Sequence, residues 1–123
     1  PNTDMPRLMS FSKTTAQFRD RSKTVTRRAG WASLKPGDIV TGVEKAMGLK
    51  KGERVVRIHD ARCVLNRPEA LQALLDDPEY GAAEAEREGF PGWTGAEFVA
   101  FFCREMRCMP ATVVNRVEFE HLV

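Results

Sequence analysis

Residues 21–28 read Arg-Ser-Lys-Thr-Val-Thr-Arg-Arg, and residues 34–38, which soon follow, read Leu-Lys-Pro-Gly-Asp. The branched side chains of Thr24, Val25 and Thr26 favour a β-strand. The Pro-Gly pair predicts a tight turn into the next apolar segment. Residues 23–28 therefore carry an amine, two hydroxyls and two guanidiniums on or beside a strand. This combination is typical of a site for an anionic or hydrogen-bonding ligand.

The spacing of this stretch limits how its side chains are arranged. Lys23 and Thr26 are three residues apart and would face opposite sides of a regular strand. We therefore expect Lys23 to lie in the preceding loop, the strand to begin near Thr24, and Thr24, Thr26 and Arg28 to share a face. Neighbouring guanidiniums and burial would lower the pKa of Lys23, as a catalytic base requires. A solvated basic strand edge is the alternative interpretation.

The first half of the chain predicts strands around one short helix. Leu8–Phe11 is an apolar strand candidate, and residues 12–21 predict a helix with Thr14 and Gln17 as a weak capping box. After the motif strand, a third strand is predicted from Asp38 to about Met47. A glycine-bounded hairpin loop and a strand over residues 53–65 complete this half.

The second half predicts helices and then a closing strand. Asn66 is predicted to cap a helix with Pro68 in its first turn, and residues 79–88 predict another helix ending at Gly89. Thr94 and Glu97 predict a capping box for a third helix to about Arg107. In residues 112–121 the alternation predicts Val113, Val117 and Phe119 on the buried side and Arg116, Glu118 and Glu120 outside. This order indicates an α+β domain with a mostly antiparallel, barrel-like sheet and flanking helices.

Bulk properties indicate one small globular domain. Apolar residues make up 42% and charged residues 29% of the sequence, which is ordinary for a soluble domain. Residues 1–57 carry 13 Lys/Arg and 5 Asp/Glu, whereas residues 58–123 carry 6 and 12. The basic half predicts a patch that attracts a phosphate-bearing partner, unless the two halves neutralise each other at the surface.

Cellular context follows from what the sequence lacks. No apolar run reaches the ~20 residues of a membrane span, and no signal peptide is recognisable. Three cysteines without a secretion signal predict a reduced, cytoplasmic protein. No Cys/His spacing indicates a metal, and we expect no cofactor. Residues 1–4, ahead of Met5, are interpreted as a cloning remnant, which leaves 5–123 as the domain.

The motif stretch resembles the ASCH domains, small β-barrels related to the PUA RNA-binding fold. Their signature is roughly G-x-K-x-x-[E/T]-x-R followed by a K-x-G-D turn. Lys23, Thr26 and Arg28 match the first part, and residues 35–38 match the turn. Residues 88–90 resemble the downstream E-G-F element, and residues 94–102 resemble the helix after it. The resemblance spans Leu8 to Leu122, with Arg21 in place of the usual glycine.

The resemblance implies a function for this motif. Threonine at position 26 is the variant of bacterial N4-acetylcytidine amidohydrolases in this family, which hydrolyse the N4-acyl amide of cytidine. Thr26 would then be the nucleophile or would position water, Lys23 would be the base, and Glu88 would relay the proton. Glu84 and Glu86 compete with Glu88 for that role. Arg28 would hold the ligand or the oxyanion.

Further residues are candidates for ligand binding. Arg27 and Arg28 can clamp a phosphate or stack on a base, and Thr24 lies on the predicted motif face. Trp31 and Trp93 can each provide a stacking platform, although hydrophobic plugs over the barrel ends are the alternative. The predicted partner is RNA or a modified pyrimidine nucleoside. Two other functions stay open: a non-catalytic RNA-binding module, and a ribonuclease using the same basic cleft.

Overall fold

The computed structural model describes residues 6–123; the proposed remnant at residues 1–4 lies outside this range. Five strands and four helices occur within the described residues. In chain order they are β1 (Arg7–Ser10), α1 (Thr15–Arg19), β2 (Val25–Arg28), β3 (Ile39–Val43), β4 (Arg57–Ala70), α2 (Ala73–Asp76), α3 (Pro78–Arg87), α4 (Gly95–Met106) and β5 (Val113–His121).

The strands form one curled sheet, shaped as a half-barrel, in the order β1-β3-β4-β5-β2. The β1–β3 pair is parallel and the other three pairs are antiparallel. The pairing of β4 shifts register at residues 63–65 and that of β3 at residues 42–43. Such irregularities increase the local bend of a strand. The predicted α+β class with a mostly antiparallel sheet is therefore confirmed.

Two apolar clusters hold the fold together. The first lies under the sheet around Met9, Phe11 and Phe18. The second lies between the helices and β5 around Leu71, Leu74 and Phe98. Charged side chains fill the space between β2, β4, β5 and α3. This polar layer leads to the site described below.

The helices on the C-terminal side pack closely through glycine. A Cβ atom at Gly81 of α3 would lie 2.9 Å from the Gly95 Cα of α4 and 2.2 Å from the Leu74 carbonyl oxygen. The predicted capping box of α4 is confirmed: Glu97 N donates to Thr94 Oγ1 at 3.0 Å and Thr94 N donates to Glu97 Oε1 at 2.8 Å. These contacts fix the direction of α4 across one side of the site.

The prediction of a helix that begins at Asn66 was wrong. Residues 66–70 instead extend β4, and Pro68 pairs with Asn115 of β5. The Asn66 amide donates to the carbonyls of Trp31 and Leu34, at 2.9 and 2.8 Å, rather than capping a helix. The long partner strand therefore decides the conformation of this segment over its local capping signals.

Other element boundaries and one strand face also differ from prediction. The strand predicted from Asp38 to about Met47 ends at Val43, and β4 begins at Arg57 rather than at residue 53. The Thr14 side chain caps nothing. In β5, Val113 is exposed and Arg116 is buried, because Arg116 has a carboxylate partner within the protein. The predicted placement of these two residues was wrong.

Candidate functional site

A cavity of about 190 Å³ opens between the sheet and α4, and we call it the inner cavity. Lys23, Thr26, Arg28 and Glu88 supply polar groups of its wall. Its opposite side is apolar and is formed by Phe90, Phe98, Phe101, Phe102 and Met106. A cavity with one apolar wall and a few convergent polar groups is the usual form of a small-molecule site.

The loop that presents Lys23 is fastened from three sides. Lys23 N donates to the Gln17 carbonyl at 3.1 Å, and Thr24 N donates to the Arg87 carbonyl at 2.9 Å. His121 Nε2 lies 2.6 Å from the Lys23 carbonyl oxygen. Because β2 begins at Val25, Lys23 precedes the strand as predicted. Thr24 lies outside the lining of the inner cavity and contributes its backbone to this loop.

Arg21 enters the same loop in a left-handed conformation, with φ at 71°. Glycine adopts this conformation without strain, whereas a residue with a Cβ atom does so at a cost of roughly 1–2 kcal/mol. The loop thus keeps the backbone shape that glycine favours, although its residue at this position is arginine. The guanidinium extends to the Leu122 carbonyl, 3.4 Å away.

Lys23 and Glu88 form a buried pair. Lys23 Nζ donates to Glu88 Oε1 at 2.9 Å and to the Glu88 carbonyl oxygen at 2.6 Å. Glu88 ends α3, so the ammonium lies at the end of the helix that favours positive charge. Burial still lowers the pKa of Lys23, because desolvation outweighs the attraction of Glu88. The amine is thereby easier to deprotonate than an exposed lysine.

Thr26 and Arg28 lie on the same face of β2 and are in direct contact. Arg28 Nε donates to Thr26 Oγ1 at 3.0 Å, and Arg28 Nη2 donates to the Ser10 carbonyl at 2.6 Å. The guanidinium lies over the Phe11 ring, 4.8 Å from its centre. Burial lowers the pKa of Arg28 to about 10, with Glu88 only partly opposing it. Arg28 makes no salt bridge within the described residues, so its charge is not matched by a bonded carboxylate.

Arg27 also belongs to the lining of the inner cavity, but its guanidinium is fully engaged with carboxylates. Its guanidinium donates to Glu69 at 2.7 Å, to Glu84 at 2.5 Å and to Glu88 at 3.0 Å. The nearby Arg116 donates to Glu84 at 2.6 Å. We call Arg27, Arg116, Glu69 and Glu84 the buried charge cluster. Because its donors bind carboxylates, Arg27 holds Glu88 in place and does not offer the free phosphate clamp that we predicted.

Sequence reasoning left three glutamates open, and the structure distinguishes them. Glu88 lines the inner cavity. Glu84 is fully buried in the charge cluster, where burial alone would raise its pKa. Hydrogen bonds from Arg116 and Arg27 outweigh this effect and lower that pKa to about 2. Glu86 is exposed on the surface of α3.

Neither tryptophan lines the inner cavity. Trp31 is half-buried, packs against the first apolar cluster and lies under the Arg7 guanidinium at 4.0 Å. Trp93 packs on Phe90 and Phe101, with ring centres 4.5 and 5.8 Å apart. The aromatic wall of the inner cavity therefore comes from Phe90 and from phenylalanines of α4, which sequence analysis did not select as site residues. The spacing of the α4 phenylalanines along the helix was the available signal. That spacing is the same whether the residues pack in a core or line a cavity.

Sequence analysis also missed the buried charge cluster. Glu69 fell within the helix predicted from Asn66, and Arg116 was predicted on the outside of its strand. Their partner, Glu84, lies 15 residues from Glu69 and 32 from Arg116 along the chain. Contacts at such separations leave no local pattern. The available hint to the buried position of Arg116 was that apolar and polar residues do not alternate strictly along β5.

Two further observations concern metal binding and membrane spanning among the described residues. No group of three or more His, Cys, Asp or Glu side chains within residues 6–123 is arranged to hold a metal ion. None of the helices in this part of the chain has the length and apolar character needed to cross a membrane.

The arrangement offers a hydroxyl, an amine–carboxylate pair and an incompletely neutralised guanidinium around one small space. Lys23 Nζ bonds to Glu88 and makes no hydrogen bond to Thr26 among the described contacts. Thr26 Oγ1 accepts from Arg28, so its own proton remains available for donation. Chemically, the site can bind a neutral polar group, stabilise a developing negative charge and transfer a proton.

Comparison with known proteins indicates the fold. No protein-family model and no curated protein matches the sequence. Among solved structures, the crystal structure of protein EF3133 from Enterococcus faecalis V583, which carries the family designation DUF984, is similar with a TM-score of 0.62. The two chains are 15% identical, and the match covers 98% of this chain and 82% of the other. At this identity the likeness concerns the fold.

Proposed function

We propose that this protein is an ASCH-type, PUA-like domain that recognises a modified pyrimidine and hydrolyses the N4-acyl amide of cytidine. The observation that carries the proposal is the contact of the Thr26 hydroxyl with the Arg28 guanidinium, beside the buried Lys23–Glu88 pair. These four residues are those that the ASCH resemblance assigns to ligand binding and catalysis. Their convergence on one cavity supports that assignment.

In the proposed reaction, Thr26 supplies the attacking oxygen, either its own or that of a water that it orients. The oxygen bonds to the acyl carbon while Lys23, as the neutral amine, accepts its proton. Burial favours this neutral form because it lowers the pKa of Lys23. Activation of a hydroxyl by a nearby amine is a known solution for acyl transfer.

Negative charge then develops on the acyl oxygen. Arg28 lies beside Thr26 and carries a charge without a bonded carboxylate, so it is placed to stabilise this oxyanion. Glu88, held by Arg27, returns the proton through Lys23 to the N4 leaving group. The bond between the acyl carbon and N4 then breaks and releases cytidine. Where the oxygen of Thr26 itself attacked, a water that gives its proton to Lys23 hydrolyses the resulting acyl ester; by either route the second product is a carboxylate. A single oxyanion donor is worth roughly 10²–10³ in rate.

The size of the inner cavity agrees with a base-sized ligand. Its volume of about 190 Å³ is smaller than the ~300–1,000 Å³ of pockets for drug-sized ligands. The apolar wall on α4 offers Phe98 and Phe101 to the ring of a pyrimidine. The polar groups of β2 lie across from this wall, where the acyl amide would be placed.

The test is incubation of the purified protein with N4-acetylcytidine, with cytidine release followed by chromatography. Lys23→Ala removes the proposed base, and Lys50→Ala serves as the matched control on an exposed loop outside the cavity lining. We expect release by the wild-type and control proteins and loss of at least 100-fold in Lys23→Ala. Equal activity of the two variants would contradict the proposed role of Lys23.

A non-catalytic binding module is the second candidate, and one contact favours it. Lys23 Nζ bonds to Glu88 and makes no hydrogen bond to Thr26 among the described contacts, so the amine is held as in a preorganised binding site and is not directed at the hydroxyl. This candidate predicts saturable binding of N4-acetylcytidine without release of cytidine. Shortened RNA products would instead indicate the ribonuclease.

A further inference from the structure

A second depression adjoins the inner cavity, and we call it the outer groove. Its volume is about 520 Å³, and it runs between β1, the Trp31 loop and residues 45–47. The two spaces share four wall residues, Ser10, Ser12, Lys13 and Arg28. A ligand seated in the inner cavity would therefore reach the outer groove by passing Arg28.

The outer groove is positively charged. Lys13, Arg28 and Lys45 lie in its wall, and no acidic residue is among the described residues that line it. Lys13 and Lys45 pair with Glu105 and Glu53 at 3.1 and 3.7 Å, but these pairs are solvent-exposed and weak. Both ammonium groups can thus turn toward an anion.

The different volumes of the two spaces indicate that each would hold a different part of one ligand. The inner cavity has room for a base, whereas the outer groove falls in the ~300–1,000 Å³ range of pockets for larger organic ligands. Trp31 gives the groove an aromatic wall, and the Arg7 guanidinium packs on its ring. Cations beside an aromatic surface suit a phosphate and its attached nucleoside.

From this geometry we infer that the outer groove binds a phosphate, with the sugar or neighbouring nucleotide that carries it, joined to the base in the inner cavity. The preferred ligand is then a phosphorylated nucleoside or a single-stranded nucleic acid rather than the free nucleoside. This inference rests on the proposed function for the position of the base. It adds the recognition of phosphate by Lys13 and Lys45.

The experiment measures equilibrium binding to the full protein with four probes. They are N4-acetylcytidine, its 3′- and 5′-monophosphates, and a trinucleotide RNA with N4-acetylcytidine in the middle. We expect at least one phosphorylated probe to bind about tenfold more tightly than the nucleoside. Lys45→Ala should remove most of that gain, whereas Lys51→Ala, an exposed lysine outside both cavities, should keep it.

Salt dependence gives a second readout that a general loss of folding would not imitate. For single strands, each phosphate contact contributes about 0.7 to the slope of log affinity against log salt. Lys45→Ala should lower the slope for the tightest phosphorylated probe by about that amount and leave nucleoside binding unchanged. A gain with a monophosphate identifies a nucleotide as the ligand, and a further gain with the trinucleotide identifies a strand.

Equal affinity for all four probes, or equal losses in Lys45→Ala and Lys51→Ala, would overturn the inference. Failure of the proposed reaction is distinguishable, since binding is measured without turnover. Phosphate-dependent binding without cytidine release would refute the hydrolase and support the groove. Cytidine release without any preference for phosphate would do the reverse.

Discussion

The buried charge cluster and the inner cavity are neighbours, yet they balance charge differently. In the cluster, the guanidiniums of Arg27 and Arg116 are bonded to carboxylates. The pKa of both guanidiniums is raised, because the attraction of these carboxylates outweighs burial. In the cavity, burial lowers the pKa of Lys23 and Arg28. Glu88 joins the two regions through Arg27 and Lys23.

We interpret the paired charges of the cluster as structural and the incompletely neutralised charges of the inner cavity as functional. A matched buried cluster costs little as long as it is complete, but it becomes costly when one partner is removed. An undermatched cation is already costly, and its energy is recovered when a ligand or a transition state supplies negative charge. We therefore expect substitutions in the cluster to reduce stability and substitutions in the cavity to reduce function.

The largest expected effect is on Glu84. Glu84→Gln keeps the shape of the side chain but leaves Arg27 and Arg116 without their shared carboxylate. We expect the free energy of unfolding, measured with urea, to fall by about 3–5 kcal/mol. Glu86→Gln, on the exposed face of the same helix, is the control and should change it by less than about 0.5 kcal/mol. Similar losses in both variants would argue against the cluster as a stability element.

Arg28→Met should show the opposite behaviour. Removing a poorly neutralised cation and leaving an apolar side chain should change the free energy of unfolding by less than about 1.5 kcal/mol. Hydrolysis of N4-acetylcytidine should fall by roughly 10²–10³, as for the loss of one oxyanion donor. Arg62→Met, at an exposed ion pair, is the control. Stability lost to the same extent as in Glu84→Gln would erase the contrast.

Acid titration should report the cluster directly. The pKa of Glu84 is lowered from 4.5 to about 2 in the folded protein, so its stabilising effect is complete above pH 4.5. Stability should decline as the pH falls from about 4.5 toward 2, by about 3 kcal/mol at 1.36 kcal/mol per pKa unit. Urea unfolding at several pH values measures this. A wild-type decline no steeper than that of Glu84→Gln would contradict it.

The smallest expected effect concerns the loop that presents Lys23. Arg21→Gly should relieve the positive φ and raise the free energy of unfolding by about 0.5–1 kcal/mol, after the entropy cost of glycine. The cavity should keep its activity because Arg21 does not line it. A stability loss would mean that the Arg21–Leu122 contact outweighs the backbone strain. Thermal unfolding monitored by circular dichroism is sufficient for this comparison.

Local signals explain what the sequence predicted well. The phase of the motif strand separated Lys23 from Thr26, and the capping box of Thr94 and Glu97 located the start of α4. Each of these features depends on residues within one turn or strand. Contacts across the chain explain the errors. Pairing with β5 turned residues 66–70 into strand, and Glu84 drew Arg116 into the interior.

The most direct test of the central claim is cytidine release from N4-acetylcytidine by the wild-type protein and by Thr26→Val. This substitution removes the hydroxyl and nearly preserves the shape of the side chain. With both proteins shown to be folded by near-ultraviolet circular dichroism, we predict release by the wild type and none above background by the variant. No release by the wild-type protein, or equal release by both, would contradict the assignment of the inner cavity as an amidohydrolase site.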